Sequence, residues 1–190
     1  MSTMTATGVC AAAIEDDGCC DVDALLAAVA AAQKLAGRRV RGVVMTRPEG
    51  ASGCASPMLL VDLDTSREYL VSQPLGRDSA ACRADPQGFA QASEVLRRAV
   101  DEAPDLVISN RFGALEAEGG GFRAELLEVL ARGLPLLTAV APRHVDAWRA
   151  FSGDAAVLAP NEGAVMQWLE QALGPVAPAR SAQSAASDPG

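Results

Sequence analysis

Along this chain, short apolar runs of β type alternate with stretches in which apolar residues recur every three or four positions. The first run, 7–14, predicts a strand that ends in an acidic turn at 15–21. Leu25, Leu26, Val29 and Leu35 then recur at helical spacing up to Gly37. A second strand is expected over 39–47 (RVRGVVMTR), and 58–63 with 68–72 flank Asp64, Thr65, Ser66 and Arg67 as an antiparallel hairpin. Asp85 followed by Pro86 opens a helix to about 102, with Phe89, Val95, Leu96 and Val100 as its apolar positions. The remaining pattern predicts strands at 105–109, 134–141 and 155–158, the last an edge strand, and helices at 122–132, 144–151 and 162–173.

Strands alternating with helices in this way define an α/β class, with a mostly parallel sheet covered on both faces. No repeat of fixed period appears. Residues 174–190 are Pro, Ala, Ser and Gly with little else, a composition that cannot offset its own ordering entropy, so the expectation is one domain over 1–173 and a disordered tail over 174–190.

The 190 residues are 49% hydrophobic, enough for a sizeable core. Lys and Arg number 16 against 24 Asp and Glu, a net charge of -8, which repels a phosphate backbone or an anionic bilayer. Aromatic residues are 4% of the chain, too few for a base-stacking surface, and no apolar run approaches a membrane span. With no basic, apolar leader at its start, the chain is expected in the cytoplasm, with its five cysteines as thiols.

In open α/β sheets, ligands sit beyond the carboxyl ends of the strands. The loops at 16–23, 46–54 and 110–121 occupy that position. A phosphate-binding loop would need G-x-x-x-x-G-K-[ST] after the first strand; here there is one glycine, Gly18, and no lysine, and Asp21 and Asp23 stand where a helix start would welcome a phosphate. Asp21 also suits an N-cap and Asp23 the first turn. Cys19 and Cys20 lie beside the same helix start, where the helix dipole favours the thiolate. Neither they nor Cys54, Cys82 and His144 have the spacing of a zinc site. Cys10 reads as a small core residue, and His144 as a helix-start or surface residue. Arg47, Arg111, Arg123 and Arg143 each lie at or near a strand end, where forked guanidinium groups can converge on one anion.

The most distinctive stretch is 105–122, DLVISNRFGALEAEGGGF. It resembles a bacterial domain family of unknown function, found near molybdate-transport genes, with an N-[KR]-F-G-x-L-E-A-E-G-x-G-[FL]-R segment. Asn110 to Arg123 satisfies every choice in that pattern. Further similarity runs through Gly42, Val43 and Val44, through Cys54 and the segment from Met58, and through Cys82, Arg83, Ala84, Asp85 and Pro86. It covers about 10–173. Cys54 is followed by Ala55, Ser56 and Pro57, which departs from the family's compact Cys-Asp-Met. The family in turn resembles small P-loop nucleoside triphosphatases, which implies a three-layer sheet with a degenerate phosphate loop and an inserted hairpin. Asn110 and Arg111 replace the acids of the corresponding strand end, leaving Glu116 as a candidate base.

The resemblance implies a non-catalytic protein of molybdenum metabolism that binds a small oxyanion such as molybdate or tungstate, or a nucleotide-like ligand. The expected ligand-binding residues are Gly18, Cys19, Cys20, Asp21, Arg47, Asn110, Arg111, Phe112, Gly113 and Glu116, with Cys54 and Cys82 as soft groups able to close a metal or oxyanion site. Two alternatives stay open: a divergent nucleoside triphosphatase with Glu116 as base, and an interaction module for a transporter or cofactor-assembly partner. A homo-oligomer is compatible with either.

Overall fold

The structure is a computed structural model that describes residues 10–46, 57–74 and 82–174. Seven strands form one sheet in the order β4-β3-β2-β7-β8-β1-β9. Strands β1 (Ala11–Glu15), β2 (Val40–Thr46), β7 (Leu106–Ile108), β8 (Leu136–Val140) and β9 (Ala156–Leu158) are parallel. β3 (Leu59–Asp62) and β4 (Glu68–Leu70) extend the β2 edge as an antiparallel hairpin. Taken in chain order, the five parallel strands run 2-3-4-1-5 across the sheet, so the first strand lies between the last two. The alternating strands and helices of the sequence pattern produce this α/β fold, which is consistent with a P-loop-type sheet.

Each central strand is apolar on both faces, as a parallel sheet buried between helices requires. Ala11 and Ala13 of β1 point to one core, which holds Leu96 of α2 (Pro86–Glu102), Leu126 of α4 (Arg123–Ala131) and Trp148 of α5 (Val145–Ser152). Ala12 and Ile14 point to the other, which holds Leu26 of α1 (Val22–Leu35) and Leu169 of α6 (Glu162–Leu173). Three layers result, helices on both sides of the sheet.

Helix starts follow their caps. Asp21 Oδ1 accepts from the Ala24 N–H (3.0 Å), Asp85 Oδ1 from Gln87 (3.0 Å) with Pro86 at the first helical position, and Asn161 Oδ1 from Ala164 (2.9 Å). On α1 the buried stripe is Val22, Leu26, Val29, Ala30 and Gln33. Leu35, two residues or about 200° past Gln33, is 90% exposed, against the expectation that it joins the apolar face.

Some expectations shift. Residues 114–117, read as loop, form a one-turn helix, α3 (Ala114–Ala117); a 3-10 turn over Pro142–His144 precedes α5. β5 (Ser72–Pro74) and β6 (Cys82–Ala84) form a small antiparallel ribbon of their own. Arg47, Cys54 and the tail beyond Gly174 lie outside the described residues.

β2 changes partners along its length. Residues Val40 to Gly42 pair with β7, while Val43 to Thr46 pair with β3. Gly42 sits at the switch with φ +116°, and a Cβ there would lie 1.9 Å from the Ile108 carbonyl oxygen, so only glycine allows the approach. Beyond it β7 has ended, and Asn110 Oδ1 accepts from the Met45 N–H at 2.9 Å. A side chain thereby continues a ladder that the backbone has left.

Candidate functional site

The carboxyl ends of β1 and β2 and the start of α1 enclose an open cleft of about 630 Å³. Asp16, Cys20, Asp21, Asp23 and Arg111 line its polar side, and Val44, Met45 and Val61 its apolar side. Asp16 follows β1, its N–H bonded to the Val140 carbonyl at 2.8 Å, and Asp23 sits in the first turn of α1. Arg111 arrives from the end of β7. Its Nη1 donates to Asp16 Oδ2 and its Nη2 to Asp23 Oδ1 (3.0 Å), so one guanidinium ties together segments some 90 positions apart. Its Nε is buried with no acceptor, a condition that leaves a donor unsatisfied.

This arrangement revises the expected convergence of arginines on an anion. Arg111 is already held by two carboxylates. Arg123 Nη1 donates to the Glu116 carbonyl (2.9 Å) and its guanidinium lies 4.8 Å from the Phe151 ring centroid, while Arg143 Nε donates to His144 Nε2 (3.1 Å) at the exposed 3-10 turn. Asp23, expected to repel a ligand, instead neutralises Arg111.

The distinctive segment from Asn110 to Arg123 is a self-bonded loop. Glu116, 4% exposed, accepts from the Gly113 N–H through Oε2 (2.9 Å) and from the Phe122 N–H through Oε1 (3.0 Å). A carboxylate three residues into a helix that reaches back to the N-cap amide is one half of a capping box, and this signal was readable in G-A-L-E. Gly121, at φ +55°, lies where a Cβ would be 2.1 Å from Glu116 Oε1. Glu116 is therefore the loop's internal acceptor, bonded to backbone amides at both of its oxygens. Phe112, expected at the rim, is fully buried, packed edge-on to Trp148 with centroids 5.5 Å apart and against Phe151 at 5.1 Å. Asn110, Gly113 and Glu116 face a second, mainly apolar cavity of about 190 Å³ beside Phe89.

Gly18 takes φ +82° in the turn between β1 and α1, and Cys19 and Cys20 follow it, both exposed free thiols. The Cys20 thiol donates to the Pro160 carbonyl at 3.2 Å. Cys19 departs from the thiolate expectation: its hydrogen bond with the Asp17 side chain, together with desolvation and the charge of that carboxylate, pushes its thiol up to about 11. The local carboxylate outweighs the helix end. Cys82 lies in β6, and among the described residues no group of three or more His, Cys, Asp or Glu side chains can hold a metal ion.

Of the expected site residues, the structure gathers Cys20, Asp21 and Arg111 at the larger cleft and adds Asp16 and Asp23, which lie in the expected rim loop but not among the expected ligand-binding residues, and Val44 and Met45 of β2. No signal along the chain pairs Asp16 with Arg111.

The family described as "Protein of unknown function (DUF2478)" matches residues 10–168, and the chain belongs to it. The chain is also 41% identical over 133 residues to "Molybdenum import ATP-binding protein ModC 2" of Bradyrhizobium diazoefficiens, a match that covers 70% of this chain and 15% of that relative. It thus spans about 15% of the length of that curated relative. No solved structure matches. No helix among the described residues is long and apolar enough to cross a membrane.

Proposed function

With membership of that family as the premise, we propose that this chain is a non-catalytic ligand-binding domain serving molybdenum import, with the Arg111 cleft as its binding site. The ligand class is a small oxyanion such as molybdate or tungstate, or a nucleotide-like molecule. The observation that carries the reading is the Asp16, Arg111 and Asp23 cluster at the start of α1. That position is where a nucleoside triphosphatase of related fold would bind phosphate. Hydrolysis needs a lysine and backbone amides on the phosphates, a hydroxyl on magnesium and an acid to order water. The turn after β1 has no lysine, the strand end offers Asn110 and Arg111, and Glu116 is engaged by two backbone amides. These features of the described residues support binding over turnover.

The molybdenum element rests on the relative's name. Since 85% of that relative lies outside the match, an ATP-binding import protein is the partner the reading favours. For an oxyanion to enter, it must take Arg111 from Asp16 and Asp23, using the guanidinium fork that suits tetrahedral anions.

Calorimetry with molybdate, tungstate, sulfate and ADP, alongside phosphate release from magnesium ATP and GTP, tests this. No turnover above background is expected. Oxyanion binding should tighten in the Asp16→Asn/Asp23→Asn double variant, because the competing carboxylates are gone. It should weaken by about 1.5–3 kcal/mol in Arg111→Ala, the range for a hydrogen bond to a charged group. Affinity indifferent to all three substitutions, or no binding by any of these ligands, would overturn the site.

A further inference from the structure

We propose that the adjacent thiols of Cys19 and Cys20 form a binding site for a trivalent metalloid oxyacid, arsenous or antimonous acid, at the mouth of the cleft. This inference is independent of the oxyanion reading. Both thiols are free and exposed, on a turn set by Gly18, and Cys20 also lines the cleft. Joined by one trans peptide, their Cα atoms are about 3.8 Å apart, closer than the roughly 4.4–6.8 Å that disulfides usually span. The pair is thus disfavoured from closing on itself and is left as a dithiol that opens to a guest when Cys20 gives up its bond to the Pro160 carbonyl. A central atom bonded to both sulfurs holds them farther apart than a direct S–S bond would.

The coordination number selects the class of guest. A divalent metal such as zinc requires about four ligands, and no such group exists among the described residues. Trivalent arsenic or antimony is satisfied by two sulfurs and one retained hydroxyl. Protonation points the same way. Asp17 holds Cys19 as a neutral thiol, so a divalent metal must expel a proton that this neighbour retains. Condensation with arsenous acid expels none: As(OH)3 and two Cys thiols give one S–As(OH)–S bridge and two waters. Two S–H and two As–O bonds break, two S–As and two O–H bonds form, and arsenic remains trivalent.

The test is titration of the full chain, reduced with a phosphine and then desalted under argon, with sodium arsenite, followed by native mass spectrometry and by loss of thiols reactive toward a chromogenic disulfide. One arsenic per chain and the loss of two reactive thiols are expected. Affinity should fall at least tenfold in Cys19→Ser and in Cys20→Ser, with Cys10→Ser unchanged. Both serine variants replace exposed groups, and matching circular dichroism verifies their fold. No arsenic uptake, uptake that survives in both variants, or uptake abolished only by Cys54→Ser or Cys82→Ser would overturn the proposal.

Discussion

Replacing Glu116 with glutamine removes one charge and almost no volume, so it separates a structural carboxylate from a catalytic one. In the native loop Glu116 accepts from two backbone N–H groups, Gly113 at 2.9 Å and Phe122 at 3.0 Å, and is 4% exposed. An amide offers one oxygen to one of these donors and turns its NH2 toward the other. The retained bond drops from a charged to a neutral acceptor, a loss of about 1 kcal/mol, and the second donor is left buried without a partner, at about 1–3 kcal/mol. The sum is about 2–4 kcal/mol. In a domain of this size that corresponds to a fall in Tm of about 4–16 °C. Urea unfolding followed by tryptophan fluorescence, with thermal melts by circular dichroism, gives both quantities. Gly121→Ala should destabilise the same loop, because its Cβ would lie 2.1 Å from Glu116 Oε1. A Glu116→Gln protein that melts within 2 °C of wild type would refute the reasoning. Magnesium-dependent nucleotide turnover in wild type that is abolished in this variant would make Glu116 a base after all.

Three further outcomes are expected. Burial pushes the Asp62 carboxyl up, but bonds from the Thr65 hydroxyl (2.7 Å), the Asp64 N–H (2.8 Å) and Arg98 (2.6 Å) outweigh it and hold the group below the usual carboxylate range. Its contribution is present above the unfolded-state value near 4 and is lost as pH falls through that value and the lower folded one, so Asp62→Asn should flatten the acid limb of a stability–pH curve. Phe112→Ala should cost about 3–5 kcal/mol in urea unfolding, because it empties a fully buried aromatic cluster. Cys19 should alkylate at pH 8.5 more slowly than a free thiol, and Asp17→Asn should speed it, as peptide mapping after iodoacetamide would show.

The fold was legible where local chemistry and burial agree. Asp85 and Pro86 start α2, and Asn161 starts α6, because a cap and a fixed φ act within a few residues. The apolar runs of β1, β7 and β8 show their burial directly, since helices cover both faces of the sheet. α3 was missed because three glycines after Glu118 make the region read as loop, while its backbone bonds, Ala117 N–H to the Gly113 carbonyl and Glu118 N–H to the Ala114 carbonyl, make a single turn that the Glu116 carboxylate caps. Leu35 was misplaced because an Ala-rich helix supplies few large residues to mark its stripe, and Gln33 fills the last buried position. The cleft was half legible. The topology of an α/β sheet places loops at its rim, but whether Arg111 faces solvent or a carboxylate depends on Asp16 and Asp23, 95 and 88 positions earlier. Pairing over that distance is settled by the three-dimensional arrangement of the strands and leaves no local trace.

The place of β1 in the sheet also governs when the protein can form. Among the described residues β1 pairs only with β8 and β9, the last two strands made. During synthesis at about 5–20 residues per second, the segment Ala11–Glu15 waits roughly 6–25 s before Leu136, its first partner, is even polymerised. Through that interval an apolar strand with both edges open is exposed to other chains, so the yield of native protein from a ribosome should depend on how fast residues 136–158 follow and on what shields the nascent strand until they do.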